Sequence, residues 1–201
     1  VQCNAGGTFG YKFSPTMEAL IGVAVLATGR PCHLRYNYEQ QQQYTGKRSP
    51  FFTTVRYAAD KATGKIKAME ADWIVDHGPY SEFGDLLTLR GAQYIGAGYG
   101  IPNIRGKGRT VCTNHCWGAA FRGYGAPESE FPSEVLMDML AEKLGMDPFE
   151  LRALNCYKEG DTTPTGQTPE VMSLPEMFDI MRPKYEAAKK RAKDKSEAKR
   201  S

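Results

Sequence analysis

Thr53-Thr-Val-Arg-Tyr-Ala-Ala-Asp60, Lys61-Ala-Thr-Gly-Lys65 and Ile66-Lys-Ala-Met-Glu-Ala-Asp-Trp-Ile-Val-Asp76 follow one another without a break. In the first run Val55, Tyr57 and Ala59 fall on one face. In the third, Met69, Ala71, Trp73 and Val75 do the same. A period of two is the signature of a half-buried strand, because successive side chains leave a strand on opposite sides. The five-residue link, with Gly64 near its end, is short enough to turn the chain directly back on itself. An antiparallel hairpin is therefore expected at the centre of the fold.

The flanks add helices on both sides. Upstream, Ser14-Pro15 ahead of Thr16 to Thr28 supplies an N-cap and a proline at the first helical position, with Glu18 near the positive end. Gly29 closes that helix and Pro31 prevents its continuation. Cys32-His-Leu-Arg-Tyr-Asn-Tyr38 alternates and predicts a further strand, followed by a polar loop over Glu39 to Gln43. Downstream, Ser81 to Arg90 predicts a short helix, Gly96 to Gly100 a glycine-rich link, and Ile101 to Arg105 and Arg109 to Asn114 extended chain. Ser133 to Leu144 predicts a helix with Val135, Leu136, Met139, Leu140 and Leu144 on its apolar face. Asp147-Pro148-Phe149-Glu150 opens the next as a capping box, and a last helix runs from about Ser173 into the charged tail. With no internal repeat, the expectation is a mixed α/β (α+β) domain of antiparallel strands packed with helices, not a doubly wound sheet.

Composition narrows the function classes. The 201 residues are 41% hydrophobic and 24% charged, with a mean hydropathy of -0.50, as in an ordinary globular protein. The longest apolar run, Ala19 to Ala27 broken by Gly22, is too short to span a bilayer, so no membrane role is expected. Five cysteines are an odd number in a chain too long to need staples, which favours free thiols and a reducing, cytoplasmic setting. The net charge of +3 is concentrated in Lys184 to Ser201, where eight Lys/Arg meet three Asp/Glu. The body is not basic, which argues against nucleic acid as a partner. Both ends read as interior chain, so a piece of a longer polypeptide is expected.

Two loops carry chemistry. Gly6-Gly-Thr-Phe-Gly-Tyr-Lys12, ahead of a helix, offers backbone N–H groups to an anion or serves as a structural turn. It fits neither the phosphate-binding P-loop nor the dinucleotide fingerprint in spacing. Ala119-Ala-Phe-Arg122-Gly-Tyr-Gly-Ala-Pro127 sets one guanidinium among glycines and aromatics. It suits an oxo-anion, or else an arginine paired to a buried carbonyl or carboxylate. Cys112-Thr-Asn-His115-Cys116 offers a metal clip, but structural zinc wants two spaced pairs and no second pair exists. No Ser/His/Asp triad and no close carboxylate pair stands out.

Four motifs carry a resemblance. Gly6-Gly-Thr-Phe-Gly10, Ile101-Pro-Asn-Ile-Arg-Gly106, Ala120-Phe-Arg-Gly-Tyr-Gly125 and Leu144-Gly-Met-Asp-Pro-Phe-Glu-Leu-Arg-Ala-Leu-Asn155 resemble, in order, those of the molybdenum hydroxylases, the xanthine dehydrogenase and aldehyde oxidase family. The resemblance spans residues 4 to 156. It implies that residues 1–183 are part of the first molybdenum domain, followed by the charged helical tail 184–201. It also implies a molybdopterin cofactor, in the cytosine dinucleotide form, whose dithiolene holds the molybdenum. By position, Gly7, Thr8, Phe9, Gly10, Phe121, Arg122 and Gly123 would bind the cofactor. Phe9 and Arg122 would lie beside the metal without ligating it. Phe13, Leu86 and Tyr124 would bind substrate.

Purine-oxidising members carry a carboxylate where this chain has Phe13, so the resemblance implies a small aldehyde as substrate. Arg90 falls where those members carry an arginine and is read as structural, with Leu86 or Leu87 as the alternative at that place. The family's general-base glutamate, most pterin loops and the iron–sulfur domains lie outside these residues. No catalytic residue is therefore assigned, and the 201 residues alone are expected to be inactive. The remaining domains of the same enzyme and a second copy in a homodimer are the implied partners. A purine dehydrogenase and an inactive binding or assembly module are the alternatives.

Overall fold

The computed structural model describes residues 6–13, 17–80 and 83–198. The elements run α1 (Glu18–Thr28), α2 (Tyr38–Tyr44), β1 (Phe51–Ala59), β2 (Ile66–Asp76), α3 (Gly84–Tyr94), β3 (Ile104–Val111), α4 (Ala126–Leu144), α5 (Pro148–Asn155) and α6 (Leu174–Ala198). The chain divides into two compact units. One holds Val1–Val55, Ala71–Ile95 and Gly106–Pro132, the other Arg56–Glu70, Gly96–Arg105 and Ser133–Ser201.

The hairpin forms as read, with alternate residues of β1 and β2 turned inward. Its turn is held by Asp60, whose Oδ1 accepts the N–H groups of Ala62 and Thr63 at 3.0 and 2.8 Å. Gly64 takes the left-handed φ of +77° that the turn needs. The sheet order is β1-β2-β3. Along β2 and β3, Met69 N–H donates to Asn103 C=O and, eight residues further on in both segments, His77 N–H donates to Val111 C=O. β3 therefore pairs parallel to β2, which a helical crossover such as α3 makes possible. The sheet is mixed rather than purely antiparallel.

In the first unit Trp73 explains the glycines of β3. A Cβ on Gly108 would stand 2.5 Å from the indole and one on Gly106 3.0 Å. The indole Nε1 donates to the Thr88 carbonyl of α3 at 3.2 Å. The predicted strand over Cys32 to Tyr38 does not form. The polar run after it is α2, capped reciprocally by Asn37 and Gln40. The cap residues read for the first helix, Ser14 to Thr16, lie outside the described residues. Its end is as read, with Gly29 at φ +63° donating its N–H to Val25 C=O.

In the second unit Asn155 locks the hairpin turn to α5. Its Oδ1 accepts Ile66 N–H at 2.9 Å, and its Nδ2 donates to Gly64 and Leu151 carbonyls at 3.1 and 3.0 Å. Asp147 caps α5 by accepting the N–H groups of Phe149 and Glu150. Glu150 does not complete the expected box, because its carboxylate pairs with Arg182 of α6. Phe149 stacks on Tyr185 at 4.6 Å. The face read for α4 is corrected. Its buried residues are Ser129, Ser133, Met137 and Ala141, while Val135 and Met139 are exposed. The helix starts at Ala126, seven residues earlier than read, and contains Pro132. Among the described residues no helix is long and apolar enough to cross a membrane.

Candidate functional site

The two glycine loops meet in the first unit. Gly10 has φ +95°, and a Cβ there would stand 2.6 Å from the Ala120 carbonyl carbon and oxygen and 2.9 Å from Phe121 N. Only glycine allows that approach. Next to it Phe9 holds φ +51°, uncommon for a residue with a side chain. On the facing loop Gly123, Tyr124 and Gly125 carry φ of +91°, +40° and +96° in succession. This run folds the chain tightly before α4, with Tyr124 N–H donating to Phe121 C=O at 2.8 Å.

Between the loops and α3 lies a cavity of about 360 Å³. Gly10 and Phe13 line it from the first loop, Ala120 to Tyr124 from the second, and Phe83, Leu86 and Arg90 from α3 and its start. The structure thus brings Gly10, Phe13, Leu86, Phe121, Arg122, Gly123 and Tyr124 together. Gly7, Thr8 and Phe9 belong to the same loop but not to this wall. Of the two leucines read as alternatives to Arg90, Leu87 is buried in the core, whereas Leu86 lines the cavity, as Arg90 does.

The charged groups divide clearly. The Arg122 guanidinium makes no hydrogen bond or ion pair among the described residues and is exposed. The arginine that pairs with a buried carboxylate is Arg48, bonded to Glu128 at 2.7 Å. Arg90 donates to Gln93 at 2.8 Å and lies over the Tyr94 ring while lining the cavity.

Sequence reading missed Phe83 and Arg48. Phe83, Leu86 and Arg90 share the three- and four-residue spacing of one helical face, which was a usable signal. Phe83 also accepts, at its carbonyl, the Tyr124 hydroxyl at 2.9 Å. Arg48 had no local signal, since its partners lie 74 and 80 residues away.

Behind the second loop the backbone is packed without slack. Ser49 Oγ lies 2.8 Å from His77 Nδ1, both buried, and a Cβ on Gly118 would fall 2.1 Å from that Oγ. Among the described residues no group of three or more His, Cys, Asp or Glu side chains comes together to hold a metal. Cys112 and Cys116 are exposed free thiols. A cofactor that brings its own metal ligands needs a different donor set. The residues present fit it: a guanidinium with no partner among the described residues, a loop that only glycine can thread, and a mainly apolar cavity that the guanidinium also lines.

The model of the molybdopterin cofactor-binding domain matches residues 1–156. The chain belongs to that family. It is 73% identical over 193 residues to the aldehyde oxidoreductase of Megalodesulfovibrio gigas, covering 96% of this chain and 21% of that protein. It is 34% identical over 188 residues to mouse xanthine dehydrogenase/oxidase, covering 92% and 14%. The solved aldehyde oxidoreductase of Desulfovibrio desulfuricans superposes with a TM-score of 0.89 at 87% identity, over 94% of this chain and 21% of that one. The molybdopterin-binding chain thus spans about a fifth of the length of the aldehyde oxidoreductases it resembles.

Proposed function

We propose that the complete protein is a molybdenum-cofactor oxidoreductase that converts aldehydes to carboxylic acids, and that this chain supplies part of its cofactor and substrate wall. One observation carries the reading: an apolar cavity opens between two glycine loops of a chain 73% identical to an aldehyde oxidoreductase. When bound, the molybdopterin supplies the redox and oxygen-transfer chemistry at molybdenum. Gly7, Thr8, Phe9 and Gly10 of the first loop would hold it, with Phe9 beside the metal and not ligating it. Phe121, Arg122 and Gly123 of the second loop would hold it as well, the Arg122 fork answering negative charge.

Phe13, Leu86 and Tyr124 shape the place of the substrate and exclude water from it. Phe13 offers no donor or acceptor, so a purine's polar edge would stay unpaired there, whereas an aldehyde's carbon chain loses nothing. The cytosine dinucleotide form of the pterin, iron–sulfur clusters, the general base, a homodimer and a cytoplasmic setting complete the proposal, all but the last drawn from outside these residues. The odd count of five cysteines supports the reducing setting.

The test is turnover by the complete protein with an apolar aldehyde and a dye acceptor, set against xanthine. A rate proportional to molybdenum content with the aldehyde supports the reading, and urate formed from xanthine at a comparable rate overturns it. The 201 residues alone are expected to give no turnover.

A further inference from the structure

Arg48 lies outside both glycine loops, just ahead of β1, and grips the second loop in three ways. One guanidinium nitrogen donates to the Arg122 carbonyl and the other donates at 2.7 Å to Glu128, in the first turn of α4. The guanidinium carbon lies 4.6 Å from the centre of the Phe121 ring. The Glu128 side chain is only 9% exposed. Its second oxygen has no hydrogen-bond partner among the described residues, so Arg48 is what answers its charge.

The backbone beside Arg48 is engaged as well. Lys47 N–H donates to Trp117 C=O at 3.1 Å and Ala119 N–H donates to Lys47 C=O at 2.8 Å. A planar five-donor head satisfies a carbonyl and a carboxylate at once while lying on an aromatic face, and a lysine ammonium cannot do all three. We propose that Arg48 is a positioning residue that fixes Phe121 and the backbone of Arg122 against the first glycine loop. This rests on the reading of Phe121 and Arg122 as the cofactor wall. Its consequence is that a group with no place on the cavity wall controls how the Arg122 guanidinium is presented.

The experiment uses the complete enzyme. Arg48→Lys keeps the charge but loses the fork. Arg48→Met combined with Glu128→Gln leaves no carboxylate buried without its counter-charge. Thermal melting checks that each variant folds, and if the double variant does not, Arg48→Lys decides. Molybdenum per chain is measured, and kcat and KM for an apolar aldehyde are measured per molybdenum.

The expected result is a loss of about tenfold or more in kcat per molybdenum or in molybdenum content, with KM within about threefold, since small misplacements at a reacting centre cost rate more than binding. Arg56→Ala, on an ion pair with Glu70 of the sheet, is expected to match the parent. Arg122→Ala separates the two levels of the argument. If it is impaired while both Arg48 variants stay within about twofold of the parent, the positioning role is overturned and the proposed function stands. If Arg122→Ala is itself unimpaired, the reading beneath both is overturned.

Discussion

Gly10 approaches Ala120 so closely that any side chain on it would occupy the Ala120 carbonyl group, with the nearest atoms at 2.6 Å. The two loops that define the candidate site therefore meet through close backbone contact at this point. Gly10→Ala is expected to force them apart, since it also burdens a residue at φ +95°. In the complete enzyme this predicts a loss of roughly tenfold or more in molybdenum content or activity, read by metal analysis and aldehyde turnover. Parent-like loading would show that the approach is incidental.

Phe13 tests the substrate class. A carboxylate introduced there faces the apolar wall formed with Leu86 and Tyr124. Phe13→Glu is expected to lower kcat/KM for an apolar aldehyde by about tenfold or more in the complete enzyme, because a hydrated carboxylate would replace the apolar ring against which the substrate's carbon chain packs. An unchanged kcat/KM would remove Phe13 from the substrate site.

Asn155 tests the packing of the second unit. Its amide is buried and holds both sides of the hairpin turn. Asn155→Ala leaves Ile66 N–H buried without its partner, at a cost of about 3 kcal/mol, or on the order of a hundredfold faster amide exchange at Ile66 in the complete protein. Exchange at the parent rate would contradict the locking role.

Asp147 gives a pH signature. Partial burial pushes its carboxyl up, but hydrogen bonds from Lys189, Tyr185 and the N–H groups of Phe149 and Glu150 outweigh this and bring it to about 2. A carboxyl held below its unfolded value stabilises above that value, and the stability is lost as pH falls from about 4 towards 2. The difference in melting temperature between the parent and Asp147→Asn is expected to be largest near neutrality and to shrink over that window. A difference that stays constant from neutrality to pH 2 would contradict it.

Much of this was legible in the sequence because it is local. The hairpin follows from alternation on either side of a five-residue turn, and the α5 start from Asp147 and Pro148. What escaped depends on partners far away. Cys32 to Tyr38 alternates as a strand does, but among the described residues no strand pairs with it. α2 hides in a glutamine run whose Asn37 and Gln40 form the cap. The α4 face was misread because small residues, Ser129, Ser133 and Ala141, fill it beside Met137. At the candidate site, the glycine loops and Arg122 stood out by spacing, each with a structural alternative, and the roles proposed for them come from the resemblance. Arg48 did not, since its role exists only where the fold brings position 48 against positions 121, 122 and 128.

The most direct test of the central claim is the molybdenum content of the complete protein isolated from its native source. The account predicts about one molybdenum per chain, carried by a pterin released on denaturation. Folded protein without molybdenum or pterin would contradict it, and would leave the two glycine loops as architecture without a cofactor.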